Sequence, residues 1–370
     1  MRLTRAVIDL KSLRDNYEGI RKKTGPGIKM MGIVKANAYG HGIVGVSRAL
    51  VTFGAEYLGV GFLEEGVELR RAGIEVPILV LGGILGSHVH EFFENDLEIT
   101  VSSLEIAGHV DATASALGRR ANVHLKIDTG MERIGVRSQH APAFIEAVSR
   151  LKHLNVVGLF SHFATSGDRD RSFAIEQLNR FNDVIEKTRS MGIEIPLTHM
   201  ANSGAVLDLP DSYFSMVRPG LMLYGAYPTR ESSESVPVAP VMQLKSNVVF
   251  IKEVPANTSI SYGREYFTES RTTIVTVPAG YGDGYGRRLT NKASVLIRGR
   301  KFPVVGTICM DQLMVDVGLK SEIHVGEEVT LLGNDGSESV SAWELAESIG
   351  TIPYEVFTGI TARVPRVYIS

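Results

Sequence analysis

Between residue 9 and about residue 225, short and continuously apolar runs alternate with helical patterns. The runs are KMMGIV, YLGVGF, PILVLGG, EITVSS, NVHLKI, VVGLFSHF, PLTHMA and YFSMV. Strands with apolar residues on both faces must be covered on both faces, which is the situation of a parallel sheet wrapped by helices. Among the intervening segments, DLKSLRDNYEGIRKK sets Leu10, Leu13, Tyr17 and Ile20 on one helical face, with Asp9 placed to cap its start. Eight such strands favour a closed (β/α)8 barrel over an open doubly wound sheet. No G-x-G-x-x-G follows the first strand, so a dinucleotide-binding sheet loses its main support.

The stretch PTRESSESVPVAP (228 to 240) is rich in proline, serine and charge and reads as a linker. Beyond it the apolar period moves toward two, in SNVVFIKEV, RTTIVTVPAG, ASVLIRG and EEVTLLG, the mark of half-buried strands. The expected architecture is therefore α/β: an N-terminal (β/α)8 TIM-type barrel over 9–230 and a C-terminal mainly β domain over 231–370, with residues 1–8 expected to pair with the latter. Ser341 and Glu344 in SAWELAESIG carry a capping-box spacing for one late helix.

Lysine and arginine total 39 against 41 acidic residues, a net charge of −2, which gives no electrostatic reason to expect nucleic acid or an anionic membrane as partner. One cysteine, Cys309, excludes an intramolecular disulfide and a multi-cysteine metal site. MRLTRAVIDLKS has no sustained apolar core of a signal peptide, and no apolar stretch approaches the roughly 18 residues of a membrane span, so a cytoplasmic chain is expected.

In a barrel of this kind reactive groups gather where strands end. By position these are Lys35 after the first strand; His124, Lys126 and Asp128 on the fifth, followed by Met131 and Arg133; His162 after the sixth; Asn202 and Ser203 after the seventh; and Arg218 after the eighth. Strand parity puts His124, Lys126 and Asp128 on one face, which leaves Lys126 in the barrel interior, where a bare ammonium needs a partner or a chemical change. Lys35 and Lys126 thus compete as an amine able to form a Schiff base. Lys35, next to a glycine-rich loop, is the better placed of the two, although by position alone a solvated strand end is the commoner reason for a lysine there. Arg218 suits either an acceptor in the barrel mouth or a structural ion pair. His162 by itself reads as a core histidine, and no second histidine or carboxylate at ligand spacing supports a metal site.

In the second domain SYGREY and AGYGDGYGR crowd tyrosines beside glycines, and ICMDQ adds Cys309 and Asp311. Gly280, Gly282, Gly284 and Gly286 read as a turn or bulge rather than a phosphate cradle, since no helix closely follows. A tyrosine works as a general base only where cations stabilise its phenolate.

VKANAYGHG, HLKIDTGMERIG, FSHFA, ANSGA, VRPGLMLYG, SYGREY, AGYGDGYGR, ICMDQ and IPYEV with the closing RVPR occur in order across nearly the whole chain, and together they resemble the bacterial alanine racemase family. The resemblance implies an enzyme using pyridoxal 5′-phosphate (PLP) on a small amino-acid substrate, and a homodimer whose sites are shared between subunits. It implies that Lys35 carries the cofactor and serves as one base, and that Tyr262 of the other subunit serves as the second. Arg218 would face the pyridine nitrogen, with His162 linking it toward the tyrosine. Tyr39, Ser203, Tyr354 and the backbone at Gly220 and Leu221 would hold the phosphate, with the glycines beside Tyr39 leaving it room. Arg133 and Met310 would orient the cofactor oxygen and the substrate carboxylate, and Tyr281 and Asp311 would line the entrance. Lys126 matches a lysine that some members carry as N6-carboxylysine, a carbamate able to pair with Arg133. Glu132 and Thr307 depart from the family pattern. The implied activity is interconversion of L- and D-alanine for peptidoglycan. The alternatives are a PLP-dependent amino-acid decarboxylase of the same architecture and a non-catalytic PLP-binding protein.

Overall fold

Asp9 folds back onto the turn that follows it. Its Oδ1 accepts the backbone N–H of Lys11 (2.9 Å) and Ser12 (3.2 Å), and its Oδ2 accepts the Ser12 hydroxyl (2.7 Å). Helix Leu10–Thr24 starts there, and Leu13, Tyr17 and Ile20 are buried along it, as their spacing predicts.

The computed structural model describes residues 2–319 and 322–370. The chain divides into two bodies. One is formed by Arg14–Ala38 and Ile43–Val238, the other by the N-terminal residues through Leu13, by Tyr39–Gly42 and by Ala239–Ser370.

The first body is the barrel. Its strands are Lys29–Ile33, Tyr57–Val60, Ile78–Val80, Glu98–Val101, Ala121–Asp128, Leu154–Phe160, Leu197–His199 and Met216–Val217. Each pairs in parallel with the next as far as the seventh, and the eighth pairs with the first through Met216↔Lys29 and Val217↔Met30. Between the seventh and eighth, Ser215 N–H donates to Thr198 O (3.1 Å) and Arg218 N–H to Ala201 O (2.8 Å). Helices Leu63–Arg71, Val89–Glu94, Leu104–Ala116, Ala141–Ser149, Ser172–Ser190 and Ser203–Asp208 follow successive strands, as the apolar spacing predicts. Helix Ile43–Phe53 is an addition to the expected pattern. It buries Ile43, Val46, Ser47, Ala49 and Leu50 and begins in a glycine-rich segment that hides its start.

The segment expected as a linker is packed rather than a bare tether: the Thr229 hydroxyl donates to Gly167 O, Ser233 N–H to Asp208 Oδ2, and Val236 is buried beside Gly19. No helix among the described residues is long and apolar enough to cross a membrane.

The second body is mainly β. Its largest sheet runs Arg300–Pro303, Ser294–Ile297, Glu328–Asp335, Met242–Asn247, Arg5–Asp9, Arg366–Ile369. Arg5–Asp9 pairs antiparallel with Met242–Asn247 and parallel with Arg366–Ile369. A second sheet joins Phe250–Val254, Thr272–Val277 and Leu313–Asp316. Helix Ala342–Ile349 is capped by Ser341, whose hydroxyl accepts Glu344 N–H (3.0 Å). Only that half of the box is closed, because the Glu344 carboxylate pairs with Lys301 (2.8 Å).

Candidate functional site

Lys35 stands just beyond the first barrel strand, and the backbone after it turns left-handed. Ala36, Asn37, Ala38 and Tyr39 have φ of 53°, 55°, 52° and 50°. Each such L-residue costs roughly 1 kcal/mol or more, so the turn must be held from outside itself. Glu65 does part of this: Oε1 accepts Ala36 N–H and Oε2 accepts Gly61 N–H (2.7 Å). Asn37 adds to it, with Oδ1 accepting Ile43 N–H (2.8 Å) at the head of the next helix. Much of the Lys35 side chain is open to solvent, yet its amine is crowded by protein. Desolvation first, then Arg133 and Arg218, lower its pKa against the opposing charge of Glu65. A lowered amine is a better nucleophile and a weaker cation near neutral pH.

Arg218, after the eighth strand, is buried and donates to His199 Nδ1 (2.8 Å), Ser161 O (2.7 Å) and Met200 O (3.2 Å). His162 Nδ1 lies 3.1 Å from its Nη2. Burial, with Arg133 adding to it, pulls Arg218 down to about 9, so it stays cationic at neutral pH. It meets no carboxylate within 4 Å among the described residues, so the ion-pair alternative for Arg218 is not what the fold builds. The neutral ring of His162 follows from burial and from the surrounding cations Arg218, Arg133, Lys126 and Lys35, which push its pKa well down. The Phe160 ring carries Arg218 at 5.4 Å and Lys126 at 5.5 Å from its centroid.

Lys126 is 3% exposed, as strand parity predicts, and Nζ donates to Ile127 O (2.8 Å). Burial brings it down to about 7 against the pull of Asp128, with Arg218 and Arg133 adding to the fall. Asp128 also shapes the loop that carries Arg133, its carboxylate accepting Gly130 N–H (2.7 Å) and Arg133 N–H (3.3 Å). Glu132 is exposed and paired with Arg137 (2.9 Å).

Ser203 is buried after the seventh strand, and its hydroxyl oxygen accepts both Gly220 N–H (2.9 Å) and Met222 N–H (3.3 Å). Amide donors on either side of Leu221 thus converge on one oxygen. With its oxygen accepting two amides, the Ser203 hydroxyl has its proton to donate, which suits an acceptor such as a phosphate oxygen.

In the second body Tyr39 and Tyr354 face one another with ring centroids 5.8 Å apart. Burial raises both, Tyr354 to about 12, so both remain protonated donors. The expectation that the glycines beside Tyr39 leave room for a ligand is corrected here. A Cβ on Gly40 would stand 2.1 Å from Phe357 O, and one on Gly42 2.0 Å from the Tyr368 hydroxyl, so both make room for the chain's own C-terminal segment.

Tyr262 is 72% exposed, at the tip of a turn in which Ser261, Gly263 and Arg264 all have positive φ. Thr307 is buried and donates to Tyr262 O (2.8 Å), and the Ser261 hydroxyl donates to Thr307 O (2.6 Å). Tyr281 and Met310 are also exposed, and Asp311 pairs with Arg363 (2.6 Å). Their loops lie against each other through Tyr281 N–H to Cys309 O and Gly282 N–H to Met310 O. A Cβ on Gly280 would reach 2.2 Å from Cys309 O, which explains the glycine there as close backbone approach.

The barrel body therefore assembles Lys35, Lys126, Arg133, His162, Ser203, Arg218, Gly220 and Leu221, while the second body carries Tyr39 with Tyr354 and, separately, Tyr262, Tyr281, Met310 and Asp311. Sequence reasoning misses Glu65, His199 and Glu98. Glu65 at the third position of its helix has a legible capping signal, but neither His199 nor Glu98 has one.

The family model for the alanine racemase N-terminal domain matches residues 8–228, and that for the C-terminal domain matches residues 241–368. Alanine racemase 2 of Caldanaerobacter subterraneus subsp. tengcongensis is 44% identical over 370 residues, covering 100% of this chain and 95% of its own. The alanine racemase of Halothermothrix orenii is 44% identical over 367 residues, covering 99% and 97%. Among solved structures, alanine racemase of Clostridium difficile 630 superposes with a TM-score of 0.95 at 40% identity, covering 100% of this chain and 96% of that one. Alanine racemase from Bacillus anthracis with bound L-Ala-P gives 0.93 at 35%, with coverage of 100% and 96%. With both domains matched in order and relatives aligned end to end, the chain belongs to the alanine racemase family.

Proposed function

We propose that this chain is an isomerase that interconverts L- and D-alanine, using pyridoxal 5′-phosphate in a homodimer whose sites combine both subunits. The carrying observation is the state of Lys35: an amine at a strand end, its pKa lowered by desolvation and two arginines, on a backbone turn held in a costly conformation. The donors present fit the cofactor. Ser203, the Gly220 and Leu221 backbone, Tyr39 and Tyr354 would hold its phosphate, and the Lys35 amine would hold its aldehyde carbon. When bound, the cofactor supplies a ring that withdraws the electrons left at Cα when a proton departs.

Inversion at Cα requires a proton removed from one face and another delivered to the opposite face. Lys35 serves one face. Tyr262, on an exposed turn and supplied by the partner subunit, serves the other. Arg218, kept cationic, would face the ring nitrogen and disfavour its protonation, which would limit electron withdrawal and so suppress side reactions. His162, neutral beside Arg218, extends that contact toward the tyrosine. Arg133 and Met310 orient the substrate carboxylate, and Tyr281 and Asp311 line the entrance. Carbamylation of Lys126 to N6-carboxylysine would give Arg133 an anionic partner and remove a buried amine. The product would serve peptidoglycan synthesis, in the cytoplasm.

The test is incubation with L-alanine in deuterated water. Loss of optical rotation with deuterium at Cα supports the proposal. Release of carbon dioxide points to decarboxylation, and a cofactor spectrum without turnover points to a carrier. Lys35→Ala is expected to lose the cofactor's visible absorption band, and its survival would remove Lys35 as the anchor. Tyr262→Phe is expected to impair proton transfer far more than cofactor binding, and equal loss of both would contradict its role.

A further inference from the structure

Four buried polar side chains form a line through the barrel interior. Arg218 Nη1 lies 2.8 Å from His199 Nδ1, His199 Nε2 lies 2.9 Å from His124 Nδ1, and His124 Nε2 lies 2.7 Å from Glu98 Oε2. Arg218 follows the last residue of the eighth strand and Glu98 is the first of the fourth, so the line runs from one end of the barrel to the other. It is packed closely: the Phe160 ring stacks on His199 at 4.9 Å and 3°, and His124 meets His199 edge-on at 5.1 Å.

Donor and acceptor roles along the line admit one assignment. A guanidinium only donates, so His199 accepts at Nδ1 and, being neutral, carries its proton on Nε2. That proton faces His124 Nδ1, which must accept. His124 is then protonated on Nε2, toward a carboxylate that only accepts. A second proton on either ring would set donor against donor. Burial and the nearby Arg218 push His199 well below the usual imidazole range, in keeping with a neutral ring.

Arg218 is a buried cation with no carboxylate within 4 Å among the described residues. Glu98 is a buried carboxylate whose hydrogen bond among those residues goes to His124. Among the described residues neither has an oppositely charged lysine, arginine or carboxylate within 4 Å, Arg70 acting on Glu98 only from farther off, and the two imidazoles join them. We infer that Glu98 is the remote counter-charge of Arg218, a positioning residue that sets both histidine tautomers and, through them, the orientation and charge of the guanidinium. The electrostatic claim stands on the barrel geometry alone. Its catalytic consequence rests on the racemase reading.

Two measurements need no activity. Nitrogen-15 spectra of histidine-labelled protein at neutral pH are expected to show two imidazoles neutral and protonated at Nε2. A cationic ring, or a proton on Nδ1 of His124 or His199, overturns the assignment. In a cycle of Glu98→Gln, Arg218→Met and the double variant, the Tm loss of the double variant is expected to fall clearly short of the summed single losses, because removing both charges leaves neither stranded. Additive losses overturn the counter-charge. Should a variant fail to fold, the wild-type spectra still decide the tautomers. On the racemase reading, Glu98→Gln keeps an acceptor for His124 but loses the charge. It is expected to lower kcat about tenfold with KM nearly unchanged, and Glu98→Asp to restore most of it. Unchanged kcat in folded Glu98→Gln would remove the catalytic consequence, and a chain without any racemase activity would instead sink the proposed function while leaving the spectra and the cycle to judge Glu98.

Discussion

The Cβ that Gly158 lacks would stand 2.0 Å from Nδ1 of His124 and 2.5 Å from its Cε1. The two residues pair across the fifth and sixth barrel strands, at the point where the register shifts between Val123 and His124. The glycine therefore leaves space for an imidazole ring inside the barrel. Gly158→Ala is expected to drive that ring off its bonds to His199 and Glu98. Overpacking costs about 1–3 kcal/mol, and a buried polar group left unpaired about 1–3 more. A loss of about 3 kcal/mol in urea unfolding is the expected result, and a loss within experimental error would mean that the strands move apart to admit the methyl group.

The barrel was legible because strands buried on both faces must be apolar on both faces, and PILVLGG or VVGLFSHF carry that requirement in themselves. Lys35, Ser203 and Arg218 were legible as polar groups at strand ends, although their roles came only with the ordered blocks around them. The interior line was not. His124 and His199 are 75 residues apart, and their contact depends on a register shift that no local pattern encodes. The left-handed turn was hidden for a related reason. Of Ala36, Asn37, Ala38 and Tyr39, only asparagine favours positive φ, and the carboxylate that grips the turn lies 29 residues on. The glycines beside Tyr39 announced a close approach without saying of what.

Lys126 makes stability depend on pH. Its folded pKa, about 7, lies below the ordinary 10.5 because burial disfavours the charged amine. Between those values the unfolded chain binds more protons than the folded one, so stability rises with pH through that window and sits at its lower plateau below it. At roughly 1.4 kcal/mol per pKa unit the full rise is on the order of 5 kcal/mol. Urea unfolding across this range in carbonate-free buffer is expected to show the rise, and Lys126→Met to flatten it. Bicarbonate is expected to flatten it too in the wild type, together with the added mass of a carbamate. An unchanged slope in Lys126→Met would assign it to other groups.

Gly40 carries a φ of 79°, and a Cβ there would meet the Phe357 carbonyl oxygen at 2.1 Å. Neither cost can be relieved by a side-chain rotation, since both partners are backbone. Gly40→Ala is expected to lose about 3 kcal/mol, roughly 1 from the left-handed backbone and the rest from the displaced helix Pro353–Thr358. Since that helix carries Tyr354, PLP affinity measured by absorbance titration should fall with stability. Stability lost with affinity intact would separate the Tyr39 and Tyr354 pair from the phosphate.

Thr307 holds the turn of Tyr262 by one hydroxyl bond to the Tyr262 carbonyl, 2.8 Å long. Valine has the same shape without the donor, and the carbonyl lies in an exposed turn where water can replace the lost bond, so Thr307→Val should cost no more than about 1 kcal/mol in stability. Its effect should fall on the aim of the phenol. If Tyr262 removes the proton from one enantiomer and Lys35 from the other, loosening the turn makes only the tyrosine step slower. The primary deuterium isotope effect on kcat/KM should then rise for the enantiomer of Cα-deuterated alanine whose proton Tyr262 removes and fall for the other, whose reprotonation by Tyr262 becomes the slow step, and Thr307→Ser, which keeps the hydroxyl, should restore the wild-type pair of values. Equal changes for both enantiomers would mean that Thr307 supports the site as a whole rather than the tyrosine base.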